Sequence, residues 1–336
     1  MRFPRVCQIS ASGLILTLAL APSAMAAPSL SDVQARVSQL QSQAANAAEG
    51  AQAAKVQLAS LTRTLSGIKQ AAAAQGQTVA QLRKSLGAIA VEQYRSGGLS
   101  QSLELLFSSD PTLYLSSAGS LDALTRRKSV QLRKYAVAQQ RLNATTYTVN
   151  DKMTLVKAAQ ARLVAQTAQA QAKLKEAEKL LAALKKSDRE RLAKLALLQE
   201  NADQASSLAL AKQANGISGR AGIALKFALK QIGDRYVFGA AGMIYWDCSG
   251  LTMRAYQAAG VSLPHSAAAQ ANYGKRVALN ALKPGDLVFF GSPIGHVGIY
   301  FGGGKMVDAP HTGARVKVES FGSSFGWERF VAARRF

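Results

Sequence analysis

Apolar residues recur at alternating steps of three and four along the chain from Leu30 to position 93. Leu30, Val33, Val37, Leu40, Leu58, Leu61, Leu65, Ile68, Val79, Leu82, Leu86 and Ile89 fall on this series, and 17 of its 19 core positions are Ala, Val, Ile or Leu. Gln75 and Gln93 are the exceptions. This spacing gathers the apolar side chains into one stripe of a helix, and such a seam needs a partner helix. Gly97-Gly98 stops the run. A second seam starts at Leu132 and passes through Tyr135, Leu142, Val149, Met153, Val156, Leu163, Leu174 and Leu181 to Leu184, with 12 of 16 core positions apolar. Beyond Leu184 the register shifts by four to Leu192 and Leu195, a stutter that locally unwinds a supercoil. Two long helices of opposite direction, joined by a shorter helical insert across Ser100 to Leu124, predict an antiparallel coiled-coil hairpin. At 1.5 Å per residue its first arm is roughly 95 Å long. The segment Gly97 to Pro111 is unusually apolar for a hairpin tip, which suits either a cap packed on the hairpin or a protein-docking surface.

The pattern changes near residue 213. Before it Ala, Gln, Leu, Ser and Lys dominate; after it Gly, Tyr, Phe, Val and Pro return, the mixture of a compact domain with strands and turns. Ala214 to Gly219 reads as a hinge. Arg220 to Gln231 then reads as a helix, followed by Tyr236-Val237-Phe238-Gly239, a helix opening at Cys248, and Leu263-Pro264-His265-Ser266 ahead of another short helix. From Pro284 onward the pattern is strands: Leu287 to Phe290, His296 to Phe301, Lys305 to Asp308, Val316 to Ser320 and Phe330 to Arg334. Helices first and an antiparallel sheet afterwards predict an α+β domain. The expected organisation is a signal peptide over 1–26, a coiled-coil regulatory or localisation domain over 29–212, a linker over 213–219 and a compact domain over 220–336.

The signal peptide rests on Arg2 and Arg5 ahead of the apolar stretch Ile9 to Ala21, and on Ser23-Ala24-Met25-Ala26, which ends in the small-x-small pattern cut by signal peptidase. No later stretch reaches the ~18 consecutive apolar residues of a spanning helix. A secreted, extracytoplasmic protein is expected. Charge narrows its surroundings: without Arg2 and Arg5 the balance is 39 basic against 19 acidic residues, a net +20, shared by both halves of the chain. Outside the membrane the matching counter-surface is anionic wall polymer or lipid headgroups. Nucleic acid is not expected, since no arginine-rich block interleaved with aromatics is present. Solvated lysines on long helices give the same balance with no partner.

Candidate chemistry is confined to the last third. Cys7 is lost with the leader, leaving Cys248 and the three histidines, His265, His296 and His311. Cys248 lies in Tyr245-Trp246-Asp247-Cys248-Ser249-Gly250, at the first turn of the expected helix. Unpaired amides and the positive end of the helix dipole lower a thiol there from about 8.5 into a range of roughly 3.5 to 7.5. Such a cysteine is either buried filler or a nucleophile, and an imidazole is the usual base beside it. A zinc site on the three histidines is disfavoured, because carboxylates are sparse nearby. No metal and no cofactor are expected.

Tyr236-Val237-Phe238-Gly239, Asp247-Cys248-Ser249-Gly250, Pro284-Gly285-Asp286-Leu287-Val288-Phe289-Phe290 and Gly295-His296-Val297-Gly298-Ile299-Tyr300 together resemble, in order and spacing, the successive motifs of the NlpC-type cell-wall cysteine peptidases, a papain-like α+β family. The resemblance implies cleavage of peptidoglycan stem peptides, between D-glutamate and meso-diaminopimelate or lysine, in wall remodelling or daughter-cell separation. It implies Cys248 as nucleophile, His296 as base and His311 as the group orienting that base, a position at which the family varies among polar residues. Tyr236 and Ser249 match cleft-lining residues; Asp247 either contacts substrate or caps the nucleophile helix. His265 falls where relatives carry another basic residue, lining the cleft or capping a helix. Trp246 departs from the small residue usual before the Asp-Cys pair, which bears on pocket shape. The coiled-coil half resembles helical regions that hold such hydrolases inactive or dock them to a membrane division or regulatory protein. The contrasting reading is a wall-binding interaction protein of little activity.

Overall fold

The structure, a computed structural model, describes residues 29–95, 111–214, 216–326 and 328–336, without the side chains of 111–118, 120 and 121. The expected signal peptide and the apolar tip over 97–110 lie outside the described residues.

Two long helices form the first half. Helix α1 spans Leu30–Arg95 and α2 spans Pro111–Ala183, 66 and 73 residues. Their pairing is antiparallel: Val33, Val37 and Leu40 pack with Ala177, Ala47 and Ala48 with Ala170, and the Lys128 ammonium donates to Gln93 Oε1 near the far end. On the α1 seam Leu65 and Val79 are buried and Leu58, Leu61, Ile68, Leu82, Leu86 and Ile89 half-buried, as a one-stripe pattern requires. The apolar seam residues from Leu142 to Leu181 of α2, and Leu184 just after it, are likewise half-buried or buried, whereas Leu132 at the start of the seam is exposed.

The four-residue shift after Leu184 is a break rather than a stutter. Lys185 adopts an extended conformation (φ −59°, ψ 151°), and a separate helix α3, Lys186–Gln213, follows. It leaves the hairpin and lies along the edge of the C-terminal sheet. Ser207 accepts a hydrogen bond from the Val318 amide (2.9 Å), and Gln204 donates to the Val316 carbonyl (3.2 Å). The hydroxyl and amide groups of α3 thus pair backbone groups that an exposed sheet edge would leave open.

The C-terminal region begins with α4 (Gly219–Leu229), the short strands β1 (Arg235–Tyr236), β2 (Ala241–Gly242) and β3 (Tyr245–Trp246), helix α5 (Cys248–Ala258) and the single turn α6 (Ala267–Gln270). After β4 (Lys275–Arg276) come β5 (Leu287–Phe290), β6 (His296–Gly302), β7 (Lys305–Asp308), β8 (Lys317–Ser320), β9 (Ser324–Phe325) and β10 (Glu328–Arg335). The sheet runs β4-β10-β5-β6-β7-β8, antiparallel throughout, with β9 paired to β10. This is the expected α+β arrangement. Leu287, Phe289, Val297, Ile299 and Val307 cover one face and meet Leu225, Leu251, Ala255 and Tyr256 from α4 and α5. Val288, Phe290, Met306 and Phe321 fill the other face. Continuous apolar runs such as Leu287-Val288-Phe289-Phe290 belong to strands buried on both sides.

The two halves are not separate bodies on a free hinge. Between positions 44 and 54 of α1, Ala44, Ala45, Ala47, Ala48, Glu49, Ala51, Gln52 and Ala54 are all buried. Burial around the whole circumference requires partners on both sides: α2 on one, and on the other the C-terminal core, which Ala45 joins. Small side chains permit this approach. A Cβ placed on Gly50 would come within 2.7 Å of Gln166 Oε1.

Candidate active site

Local rules place the thiol. Asp247 is extended (φ −98°, ψ 175°) and its Oδ1 accepts from the Gly250 amide at 2.7 Å, the N-cap of α5, so Cys248 is the first helical residue. Of the two roles expected for Asp247, capping is the one its geometry displays. Gly250 cannot carry a side chain here, because a Cβ would lie 2.3 Å from the Ala240 carbonyl oxygen. His265 Nε2 sits 2.8 and 2.9 Å from the two Asp247 carboxylate oxygens. Burial disfavours the charged imidazole of His265, but the hydrogen bond and charge of Asp247 outweigh it and raise its pKa.

His296 opens β6, the strand that runs beside α5. Val297 next to it belongs to the same buried cluster as Cys248, which sets the start of the strand on the helix that carries the thiol. The His296 ring stacks on Phe325 (4.8 Å between centroids, 18° between planes), and burial lowers its pKa, favouring the neutral base. Its Nε2 lies 2.8 Å from Asp308 Oδ2. His311, expected as the orienting residue, is not bonded to His296; its Nδ1 is engaged 3.0 Å from the Thr312 carbonyl. Asp308 is on the paired strand β7 and reaches the ring directly, while the turn after Pro310 carries His311 aside. The sequence offered no charge or spacing signal that singled out Asp308 from its position at a strand end.

Tyr236 is buried, and among the described atoms its hydroxyl has no hydrogen-bond partner. Burial, and then the charges of Cys248, Asp247 and Glu49, push that phenol well above its usual range. Ser249 is fully buried, its hydroxyl 3.3 Å from Asp247 Oδ1.

One participant had no signature in the sequence. Glu49 of α1, 2 % exposed, reaches into the site: its Oε1 accepts from the Cys248 thiol at 3.1 Å and its Oε2 from the Ala267 amide at 2.9 Å. Glu49 lies off the seam, so helical periodicity marks it as an ordinary surface residue. Burial, and then the charge of Asp247, raise its pKa. The thiol responds in the same sense: burial first, then Glu49 and Asp247, raise it well above its usual value. The lowered thiol pKa expected from the helix start is therefore absent in this arrangement. A helix dipole is worth about 1 kcal/mol, too little to offset a buried site with two adjoining carboxyl groups. On either side of α1 the cleft continues as cavities of about 500 Å³, lined by Asn46, His296, His311 and Glu328 among others, and about 910 Å³, lined by Gln41, Tyr236, Tyr245 and Arg315 among others.

A cysteine at the start of a helix packed on the strand that opens with a histidine bonded to a buried carboxylate, on an α+β frame, is an arrangement found in papain-like cysteine peptidases. Residues 233–335 match the NlpC/P60 family, and the C-terminal region of the chain is an NlpC/P60 domain, the domain of a cysteine-peptidase family. A protein of Mycobacterium tuberculosis named "Probable endopeptidase" is 44% identical over 112 residues, 33% of this chain and 29% of that protein. The "Probable endopeptidase p60" of Listeria monocytogenes is 42% identical over 106 residues, 31% of this chain and 21% of that protein. The chain thus spans less than a third of the length of these relatives, at 29% and 21%. The solved structure of the peptidoglycan hydrolase RipB from Mycobacterium tuberculosis is 28% identical, covers 38% of this chain and 66% of that chain, and superposes with a TM-score of 0.31.

Proposed function

We propose that the chain is a latent thiol endopeptidase that hydrolyses peptidoglycan stem peptides, acting at the cell wall outside the membrane. The observation that carries the reading is the packing of the helix opened by Cys248 on β6, with Cys248 and Val297 in one buried cluster and the adjoining His296 bonded to Asp308. The family match and the similarity to proteins named as endopeptidases support the reaction class. The expected scissile bond is that between D-glutamate and meso-diaminopimelate or lysine.

In the open site His296 takes the Cys248 proton and the thiolate attacks the scissile carbonyl carbon. Electrons move to the carbonyl oxygen, which the Cys248 amide at the helix start and the unpartnered Tyr236 hydroxyl are placed to stabilise. Collapse breaks the C–N bond; the imidazolium gives its proton to the leaving amine, and a thioester remains. Water, deprotonated by His296, hydrolyses the thioester and restores the thiol. Asp308, in the role first expected of His311, accepts from His296 Nε2 and fixes the tautomer.

In the closed arrangement α1 lies across this cleft and Glu49 occupies the place where a substrate carbonyl must approach the sulfur. The coiled-coil half therefore acts as an inhibitory domain, and its displacement by wall polymer or by a membrane-bound regulatory protein is the activating event. The test is mass spectrometry of purified peptidoglycan after incubation with the chain, with Glu49→Ala, and with Glu49→Ala combined with Cys248→Ala. New stem-peptide fragments from Glu49→Ala alone are the expected result. Their absence from that variant, or their persistence without Cys248, overturns the reading.

A further inference from the structure

We propose that Glu319 is a positioning residue for the histidine base: it shares one proton with Asp308, so that the two carboxyl groups present a single negative charge to His296. This rests on His296 being the base, but its test needs no hydrolysis.

Asp308 ends β7 and Glu319 lies on β8. The register pairs Asp308 with Lys317 and Met306 with Glu319, so all four side chains project from one face of the ladder. Asp308 Oδ2 is occupied by His296 Nε2 at 2.8 Å, and Glu319 Oε2 by the Lys317 ammonium at 3.4 Å. The two remaining oxygens, Asp308 Oδ1 and Glu319 Oε1, are buried with no donor. The two carboxyl groups are diagonal neighbours on one face of the β7–β8 ladder, and each perturbs the other's pKa. Acceptors cannot satisfy each other, and two adjoining ionised carboxylates repel strongly away from water. A single proton between them satisfies both oxygens and removes one charge.

The proton is placed on Glu319, because Asp308 Oδ2 already faces His296 Nε2 at 2.8 Å. Burial raises Glu319 to about 8 and Asp308 to about 7. A Glu319 O–H donating to Asp308 Oδ1 leaves Oδ2 as an acceptor for His296 Nε2–H. That holds the ring in the tautomer whose Nδ1 is free for the thiol proton. The other charged or titratable groups facing the pair are Lys317, which also reaches Asp203 of α3 at 3.2 Å, His311 beyond β7, and Glu328 of β10, which lines the same cavity as Glu319. Because Lys317 bridges Glu319 and Asp203, the pair also senses whether α3 is docked on β8.

The experiment is ¹⁵N NMR of the histidine-labelled whole chain, whose three histidines give a small set of ring signals. Near pH 7 the wild type is expected to show a far-downfield, slowly exchanging Hε2 proton for His296. Glu319→Gln, whose amide can take over the donation to Asp308, retains that signal. Glu319→Ala loses it, and its ring nitrogens shift towards a mixture of tautomers. An unchanged Hε2 signal in Glu319→Ala overturns the proposal. Equal loss in Glu319→Gln also overturns it, because any alteration of β8 would then suffice.

Discussion

The Glu49 carboxyl accepts a hydrogen bond from the Cys248 thiol at 3.1 Å, although 199 positions separate the two residues in the chain. A helix of the N-terminal hairpin thereby reaches the reactive atom of the C-terminal domain. Burial, and then the charges of Glu49 and Asp247, raise the thiol pKa, and Cys248 is left 2 % exposed.

Removing the acceptor should expose the thiol. Glu49→Ala is expected to increase the rate of Cys248 alkylation by iodoacetamide at least tenfold, read by mass spectrometry of the intact chain. A hydrogen bond to a buried polar group is worth about 1 kcal/mol, and its loss is accompanied by loss of the carboxyl's packing. An unchanged rate would mean that Glu49 does not hold the closed form.

The same opening should follow from a change on the opposite surface. A Cβ at Gly295 would lie 2.6 Å from Asn46 Oδ1 and 2.8 Å from its Cγ, both on α1. Gly295→Ala is therefore expected to push α1 away and accelerate alkylation while Glu49 is intact. Wild-type alkylation rates in this variant would count against α1 as the lid.

Closure should weaken as pH rises. Glu49 has its pKa raised in the closed form, by burial and then by Asp247, above the ordinary value of 4.5 that it regains when released. Its contribution to closure is complete below that ordinary value and is lost as pH climbs through the raised one. Cys248, Tyr236, Ser249, His265 and Asp247 face it from the C-terminal domain. The ratio of wild-type to Glu49→Gln alkylation rates is expected to rise with pH, since the amide does not ionise. A flat ratio would remove Glu49 as the titrating group.

Asp308 and His311 should separate cleanly in kinetics. In the Glu49→Ala background, Asp308→Ala is expected to lower kcat by up to about four orders of magnitude, as the loss of a tautomer-fixing carboxylate does. His311→Ala should stay within a few-fold, because its ring is bonded to the Thr312 carbonyl and not to His296. Steady-state hydrolysis of a stem peptide measures both, and the reverse order would restore His311 to the orienting role.

Much of the architecture was legible without coordinates. The 3,4 spacing from Leu30 to Ile89 marked a helix with one apolar stripe, and Asp247-Cys248-Ser249-Gly250 marked a capped helix start. Strand runs such as Leu287 to Phe290 and His296 to Phe301 read directly from their apolar content. These features depend on neighbours in sequence, through hydrogen bonds and side-chain directions that repeat every few residues. The break at Lys185 was visible only as a shift in register, since a stutter and an interruption leave the same trace in the spacing of leucines.

What local pattern could not supply was everything decided by contact across long separations. Tertiary packing put Asp308, and not His311, in hydrogen-bond contact with His296: β7 brings its carboxylate to the ring, whereas His311 Nδ1 is engaged with the Thr312 carbonyl. It also gave Glu49 its place: an off-seam glutamate of a long helix reads as solvated until the opposing surface is known, and only the packing of α1 against Cys248 and Ala267 buries it. The sequence by itself determined most of the elements and marked Cys248 and His296 as candidates for the reactive pair. The tertiary structure decided which of them meet, because burial and pairing energies depend on surfaces that are distant in the chain.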